Sequence, residues 1–253
     1  MTYALPVERF EIARVLSRMS GVIGRNFPVF AVLAFTLSGL PSLGAALFER
    51  GLLFPFGVAP VGPTGLGWIF NLLTNSLVQA ALIHGTISDL NGRPASLGDC
   101  LETAIGNVLP LIGIGIATTV ATFVGLLLFV VPGIILTLAF CVSASAQVVE
   151  GHGVFEAMGR SWNLTRNHRW AILLLFVLFG VGFAIVRALA EVVPLATAIA
   201  SPGGADAIRD LFVTPLLQAL GALIGAAGVA SIYFELRTIK EGVAVEALAK
   251  AFE

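Results

Sequence analysis

Long apolar runs separated by short charged segments form the dominant pattern of this chain. Residues 103–149 hold no charged side chain, and residues 26–48 and 211–234 are also uncharged. A helix needs about 20 apolar residues to cross the hydrocarbon core of a bilayer, so the longest run is sufficient for two crossings. Hydrophobic residues make up 57% of the chain and charged residues 11%, with a mean hydropathy of +0.97. This composition predicts an integral membrane protein and excludes an ordinary soluble one.

The pattern predicts an all-α fold with about six transmembrane helices. The predicted crossings are residues 27–48, 68–87, 108–130, 134–149, 170–190 and 211–232. We expect one integral membrane domain over residues 1–253 and no separate soluble catalytic domain within it. In this domain a cytoplasmic amphipathic helix (1–26) precedes the bundle (27–232), and a cytoplasmic amphipathic tail (233–253) follows it.

The fourth predicted crossing is the shortest. Residues 134–149 give only about 24 Å of helix at 1.5 Å per residue, against about 30 Å of hydrocarbon. Either this helix begins before Pro132 and kinks there, or Pro132 and Gly133 form a tight turn near the outer face.

Basic residues lie mainly on one side of the predicted crossings. That side carries Arg9, Arg14, Arg18, Arg25, Arg93, Arg160, Arg166, Arg169, Arg237, Lys240 and Lys250. The opposite side carries Arg50, Arg187 and Arg209. Because short cytoplasmic loops are enriched in arginine and lysine, this 11 to 3 distribution predicts that both termini are cytoplasmic.

Each cytoplasmic segment has the spacing of an amphipathic helix that leads into the next crossing. The apolar stripe of the first consists of Ile12, Val15, Leu16, Met19, Val22 and Ile23. Ser96 and Asp99 have the spacing of a capping box that would open the second. Such helices can lie in the plane of the lipid headgroups.

Charged side chains at the cytoplasmic ends of the crossings form a predicted charged rim. Its members are Asp89, Glu150, Arg160, Arg166, Glu235 and Arg237. An acid withdrawn from water needs a partner, and an arginine fork can donate two hydrogen bonds to one carboxylate. We therefore predict that Glu150 or Glu235 pairs with Arg160 or Arg237. The alternative is that all these charges are solvated anchors.

Two short segments align with each other, SGVIGRN (20–26) and SWNLTRN (161–167), and each precedes a predicted crossing. This similarity raises the hypothesis of three pseudo-repeats, each an amphipathic helix followed by a two-helix hairpin.

The runs VVEGHGVFEAMGRSWNLTRNHRW (148–170), YFELRTIKEG (233–242) and VPGIIL (131–136) resemble a group of bacterial multi-pass proteins. That group is described as glycerophosphoryl diester phosphodiesterase membrane-domain-like, or as uncharacterised inner-membrane proteins of the YciC type. Its characteristic residues would be Pro132, Gly133, Glu150, Ala157, Arg160, Ser161, Trp170, Tyr233, Glu235, Leu236, Arg237, Glu241 and Gly242. The resemblance implies a bacterial inner (plasma) membrane location and an architecture, and it does not imply a reaction.

The second predicted crossing has a polar face. Asn71, Asn75 and Gln79 follow each other at four-residue intervals, and Thr86 falls on the same face. An amide facing lipid would be costly, so this face should point into the bundle. It forms either a substrate or lipid path, or hydrogen bonds that hold helices together.

The sixth predicted crossing has a face of small residues, with Gly221, Gly225 and Gly228, which permits close helix packing. No histidine pair has metal-site spacing, and the two cysteines are far apart in the chain. We therefore expect no metal, no cofactor and no catalytic residue.

The sequence favours a non-enzymatic membrane organiser, assembly subunit or helper in handling envelope lipids. The alternative is a transporter or lipid-translocating channel that uses the polar face of the second crossing. The expected partners are membrane lipids, together with other membrane proteins or a second copy of the chain, and not nucleic acid.

Overall fold

A computed structural model describes residues 10–49, 66–192, 194 and 204–251 as helices with short connections and no strand. The helices are α1 (Ile12–Arg25), α2 (Phe27–Ala34), α3 (Leu40–Glu49), α4 (Leu66–Leu90), α5 (Leu97–Leu128), α6 (Val130–Phe140), α7 (Ser143–Glu150), α8 (Val154–Thr165), α9 (Arg169–Ala190), α10 (Gly204–Ile208) and α11 (Thr214–Ala251). A π-helical turn joins α2 to α3 (Phe35–Gly39), and another joins α10 to α11 (Arg209–Val213).

Five helical segments of the described chain are long and apolar enough to cross a membrane. They are Phe27–Leu47, Leu97–Leu128, Val130–Glu150, Arg169–Ala190 and Asp206–Gly242. These segments coincide with five of the six predicted crossings and confirm an all-α, polytopic membrane protein. The remaining crossing, 68–87, lies in α4, whose 25 residues extend over about 38 Å. α4 is not among the five segments, so the number six stays a prediction.

α4 lies at the centre of the bundle, in contact with α1, α2, α5, α7 and α11. Its four consecutive residues Ala80, Ala81, Leu82 and Ile83 are at most 1% exposed. Successive residues of a helix point about 100° apart, so these four show that α4 is enclosed on all sides here. The amides of α4 lie outside this enclosed stretch, since Asn71 and Asn75 are exposed and Gln79 is half-buried.

α5 and α6 form a tight antiparallel hairpin joined by one extended residue, Phe129, with φ −163° and ψ 153°. A Cβ on Gly133 would lie 2.9 Å from the Leu126 backbone nitrogen, and a Cβ on Gly125 would lie 3.0 Å from Gly133 Cα. Both glycines are therefore needed for this close approach, because no larger side chain fits between the two backbones.

The fourth crossing begins earlier than residue 134. Its helix starts at Val130, before Pro132, as the first alternative has it. The second alternative, a tight turn at Pro132–Gly133, is wrong because both residues are inside α6. Pro132 occupies the first turn of that helix, where its missing N–H breaks no intrahelical hydrogen bond. The interruption instead lies at Cys141–Val142, between α6 and α7. The whole segment Val130–Glu150 has 21 residues, enough for about 32 Å.

The amphipathic segments differ from the predicted pattern. The second is continuous with the third crossing in the 32-residue α5, and Ser96 makes no side-chain capping bond there. The tail is likewise continuous with the sixth crossing in α11, as far as Ala251. α1 remains a separate helix, and its stripe residues Val15 and Val22 are fully buried. α1 therefore packs against α4 and α11 rather than presenting that stripe to headgroups.

α8 also packs on protein. The Ser161 hydroxyl donates to the Ala139 carbonyl at 2.7 Å, two residues before the interruption of the fourth crossing. Carbonyls near a helix C-terminus lack an intrahelical partner, so this hydroxyl satisfies an acceptor that the interruption exposes. The contact fixes α8 against α6.

Candidate functional site: two polar cavities and an arginine–carboxylate rim

A polar cavity of about 470 Å³ lies between the first, second and sixth crossings. We call it the first polar cavity, and its polar lining includes Ser38, Ser42, Asn71, Asn75, Asp210 and Gln218. The side chains come from α4, from the α2–α3 segment and from the π-helical turn with α11. Amide and hydroxyl groups from three helices therefore converge on one space.

A second polar cavity of about 340 Å³ adjoins the first and shares Ser38, Asn75, Thr214 and Gln218 with it. It adds the guanidinium of Arg187 and the carboxylate of Glu191, both at the end of α9. Glu191 pairs with Arg209 at 3.4 Å. The two cavities together thus offer neutral donors and acceptors beside opposite charges.

The predicted polar face of α4 does not serve one site. Asn71 and Asn75 line the polar cavities, whereas Gln79 lines a separate, apolar cavity beside α5 and α9. Thr86 is fully buried, and its hydroxyl donates to the Leu82 carbonyl of its own helix at 2.7 Å. Residues four apart are offset by about 40° around a helix, so Asn71 and Gln79 differ by about 80°. The two ends of the polar face therefore point toward different cavities.

The charged rim lies at the other end of α4, since Asp89 is about 27 Å along the helix from Asn71. Here Glu235 is fully buried. Its Oε1 accepts a hydrogen bond from Arg14 Nη1 at 2.9 Å, and its Oε2 accepts one from Arg18. Arg18 also lies over the Phe234 ring, 5.1 Å from its centroid. Two arginines of α1 therefore neutralise one buried acid of α11.

A second cluster of the rim surrounds Glu150. Arg160 Nε lies 3.0 Å from both carboxylate oxygens, and the Tyr233 hydroxyl donates to Oε1 at 2.5 Å. His152 Nε2 lies 2.8 Å from Oε2. Arg160 also donates to Glu241, and it thereby links α7, α8 and α11. Burial lowers the pKa of Arg160, but its hydrogen bonds to the two carboxylates raise that pKa above the ordinary value.

Asp89 forms the third cluster. Its Oδ2 accepts a 2.5 Å hydrogen bond from Arg25 Nη2, and its Oδ1 accepts one of 2.7 Å from Asn26 Nδ2. Asn26 Oδ1 in turn accepts the Ala95 N–H at 3.3 Å. Burial raises the pKa of Asp89, but the bonds from Arg25 and Asn26 and the arginine charge lower it below its usual range.

The prediction that Glu150 or Glu235 pairs with Arg160 or Arg237 is confirmed by the pair of Glu150 and Arg160. Glu235 pairs with Arg14 and Arg18 instead. Arg237 instead donates to Glu241 at 2.6 Å, four residues along its own helix. Arg166 is exposed and forms no ion pair with a described residue.

Sequence reasoning missed Arg14 and Arg18 as the partners of Glu235, and it missed Tyr233 as a donor to Glu150. The spacing of Arg14 and Arg18, four residues apart on the polar face of α1, was a signal that both reach one side. No group of three His, Cys, Asp or Glu side chains in the described part of the chain could hold a metal ion.

Comparison with known protein families supplies one match. The model of a family described as "Domain of unknown function (DUF7847)" matches residues 66–236. The chain belongs to the DUF7847 family. The DUF7847 region begins at α4 and ends within α11, so it contains Glu150, Arg160, Tyr233 and Glu235 but not the two arginines of α1. No curated protein matches the chain. No solved structure matches it either.

Proposed function

We propose that this protein is a non-enzymatic lipid-handling protein of the bacterial inner membrane. In this proposal the two polar cavities receive the polar headgroup of an amphiphile from the outer leaflet. The observation that carries the proposal is the convergence of Asn71, Asn75 and Gln218 on spaces of about 470 and 340 Å³.

The lining chemistry supports a polar ligand. An amide in contact with hydrocarbon costs several kcal/mol unless it is hydrogen-bonded, so these side chains favour water or a hydrogen-bonding headgroup in the cavities. Both volumes lie within the range of about 300 to 1,000 Å³ that is typical of ligand pockets. Arg187 and Glu191 beside the amides would suit a headgroup that carries charge.

The distribution of basic residues supports the orientation. Both termini are proposed to be cytoplasmic, and the polar cavities then face the outer leaflet while the charged rim faces the cytoplasm. Amides and hydroxyls dominate the lining. They bind through hydrogen bonds but do not exchange protons near neutral pH, and this favours binding over catalysis.

The test is lipid retention by the purified protein. The wild type in mild detergent should retain an amphiphile that mass spectrometry identifies, and Asn75→Leu should lose it. Asn107→Leu is the matched control, because the Asn107 amide donates to the Thr103 carbonyl of its own helix and, among the described residues, to no other helix. Equal retention by the two variants would contradict the proposal.

Cysteine accessibility supplies an independent test. Asn71→Cys and Asn75→Cys should react with a water-soluble thiol reagent, whereas Leu82→Cys, at a position that is 1% exposed, should not. If none of the three cysteines reacts, the amides form dry hydrogen bonds that hold helices together.

A second candidate function is that of a membrane organiser or assembly subunit. The attachment of α1 to α11 through Glu235 favours it, because this attachment holds a cytoplasmic helix rigidly against the crossings. A partner protein that Glu235→Gln releases, with lipid retention unchanged, would favour the organiser.

We also propose a relationship to the glycerophosphoryl diester phosphodiesterase membrane-domain-like or YciC-type group. Five of the residues that carry the resemblance meet in one network: Glu150, Arg160, Tyr233, Arg237 and Glu241. A chain of that group in which the same five positions form this network would support the relationship.

A further inference from the structure

The apolar cavity that Gln79 lines is a groove of about 600 Å³ between α5, α6 and α9, apart from the two polar cavities. Its lining along α5 extends from Leu111 to Leu126, about 22 Å of helix. That length exceeds the roughly 15 Å of hydrocarbon in one leaflet, half of a core of about 30 Å. The groove is therefore long enough for a lipid acyl chain.

Three of the four threonine hydroxyls in this groove donate to a carbonyl of their own helix. Thr118 donates to the Ile114 carbonyl at 2.7 Å, Thr119 to the Gly115 carbonyl at 2.6 Å, and Thr137 to a carbonyl of α6 at 3.0 Å. Threonines bonded to their own helix present mainly their methyl groups, so the lining suits hydrocarbon except at the Gln79 amide.

A cation stands beside the groove. The Arg169 guanidinium lies over the Trp162 ring, 4.3 Å from its centroid, and Trp162 packs on Phe140 with ring centroids 5.9 Å apart. Phe140 lines the groove, and so does Phe176, two turns beyond Arg169 on α9. These contacts form a continuous path from a positive charge, through two aromatic rings, into an apolar space.

The charge at this place is not neutralised within the described chain. Arg169 forms no ion pair with a described residue, and its Nε is buried without a hydrogen-bond partner. Arg166, three residues earlier, is exposed and likewise without an ion pair. The neighbouring acids are already engaged, since Glu150 and Glu241 both bind Arg160.

We propose that this groove binds one anionic phospholipid of the cytoplasmic leaflet. The phosphate would pair with Arg169 and Arg166, Trp162 would lie at the junction of headgroup and chain, and one acyl chain would occupy the groove. An anionic headgroup complements the unpaired arginines, and aromatic rings favour this interfacial depth. The proposal does not depend on the polar cavities, which the groove does not adjoin through any shared lining residue.

The experiment is native mass spectrometry of the full chain in mild detergent, titrated with phosphatidylglycerol or phosphatidylcholine. Gly115→Leu should block the groove, because Gly115 lines it and a Cβ there meets no atom within 4 Å. Gly106→Leu is the matched control on the same helix, also with no atom within 4 Å of its Cβ. Arg169→Gln tests the charge, and Arg93→Gln, an exposed arginine outside the groove, is its control.

The wild type should bind the first phosphatidylglycerol more tightly than phosphatidylcholine. Arg169→Gln should weaken phosphatidylglycerol binding about tenfold, as expected for a lost charge-assisted hydrogen bond. Gly115→Leu should weaken both lipids while the two control variants bind as the wild type does. Binding by Gly115→Leu equal to that of Gly106→Leu, at equal thermal stability, would overturn the proposal. A dimer that Gly115→Leu dissociates would assign the groove to a second copy of the chain instead.

Discussion

The pairing of Glu235 with Arg14 and Arg18 predicts that removing the two arginines destabilises the protein more than removing the acid does. Glu235 is fully buried, whereas the side chains of Arg14 and Arg18 are 33% and 25% exposed. If the acid is removed, both arginines can turn toward water. If the arginines are removed, the carboxylate has no such route, and a buried charge without a partner is strongly destabilising.

The magnitudes follow from this difference in exposure. Glu235→Gln keeps an acceptor for one arginine, so we expect a loss of about 1 to 2 kcal/mol from weakened charge-assisted hydrogen bonds. The double variant Arg14→Gln, Arg18→Gln strands the carboxylate and should lose about 3 to 5 kcal/mol. The triple variant with Glu235→Gln as well should be more stable than that double variant, because it removes the stranded charge.

The assay is reversible unfolding of the purified protein in mixed micelles, with the free energies compared in a mutant cycle. Arg93→Gln is the control, because its exposed arginine makes no ion pair with a described residue, and it should change stability by less than about 0.5 kcal/mol. A triple variant less stable than the arginine double variant would refute the reasoning. A larger loss of stability in Glu235→Gln than in the arginine double variant would refute it as well.

Three further predictions follow from the packing and the rim. Gly228→Leu should lower stability by about 1 to 3 kcal/mol, because a Cβ there would lie 3.1 Å from the Phe179 ring. Gly225→Leu should melt as the wild type does, because a Cβ there meets no atom within 4 Å. Equal melting of the two would contradict the packing. The lowered pKa of Asp89 means that its stabilising contribution is present above the unfolded pKa of about 3.9 and is lost as the pH falls through the folded pKa. The stability difference between wild type and Asp89→Asn should therefore shrink in melting curves taken from pH 6 to pH 3, and a constant difference would reject the role of Arg25. A reporter fused to the C-terminus should be active only in the cytoplasm, and periplasmic activity would reverse the assigned sides.

The local sequence pattern predicted the features that depend on one helix alone. It did not predict the contacts between helices that are distant in the chain. The apolar runs predicted where five membrane segments lie, because hydrophobic length is a property of each segment alone. They did not predict that the third begins as early as Leu97 or that the last extends to Gly242. Glu150 and Arg160 are ten residues apart, and their pairing was accessible from the order of charges. The partners of Glu235 are more than 200 residues away, and only the tertiary packing of α1 on α11 brings them together.

The glycines illustrate the same limit. The spacing of Gly221, Gly225 and Gly228 identified α11 as a helix that packs closely, but it did not show which of them faces a neighbour. A Cβ on Gly221 or on Gly228 would lie 3.1 Å from an aromatic ring of α9, whereas a Cβ on Gly225 would meet no atom within 4 Å. The polar face of α4 was likewise recognised, and its division between two sides of the bundle depends on helices that the local pattern does not specify.

The amides of α4, together with its enclosed stretch at Ala80–Ile83, have a consequence for how the chain enters the membrane. A segment with several amides gains little from lipid and inserts poorly when it leaves the translocon alone. α1 and α2 precede α4 in the chain, but its contacts are complete only when α5, α7 and α11 have been synthesised, and α11 is the last helix of the described chain. We therefore expect α4 to stay in contact with the translocon, or to be only weakly inserted, until late in synthesis. Biogenesis of this protein then depends on the order in which its helices are made, and a truncation before α11 should be degraded even though most of its apolar helices are complete.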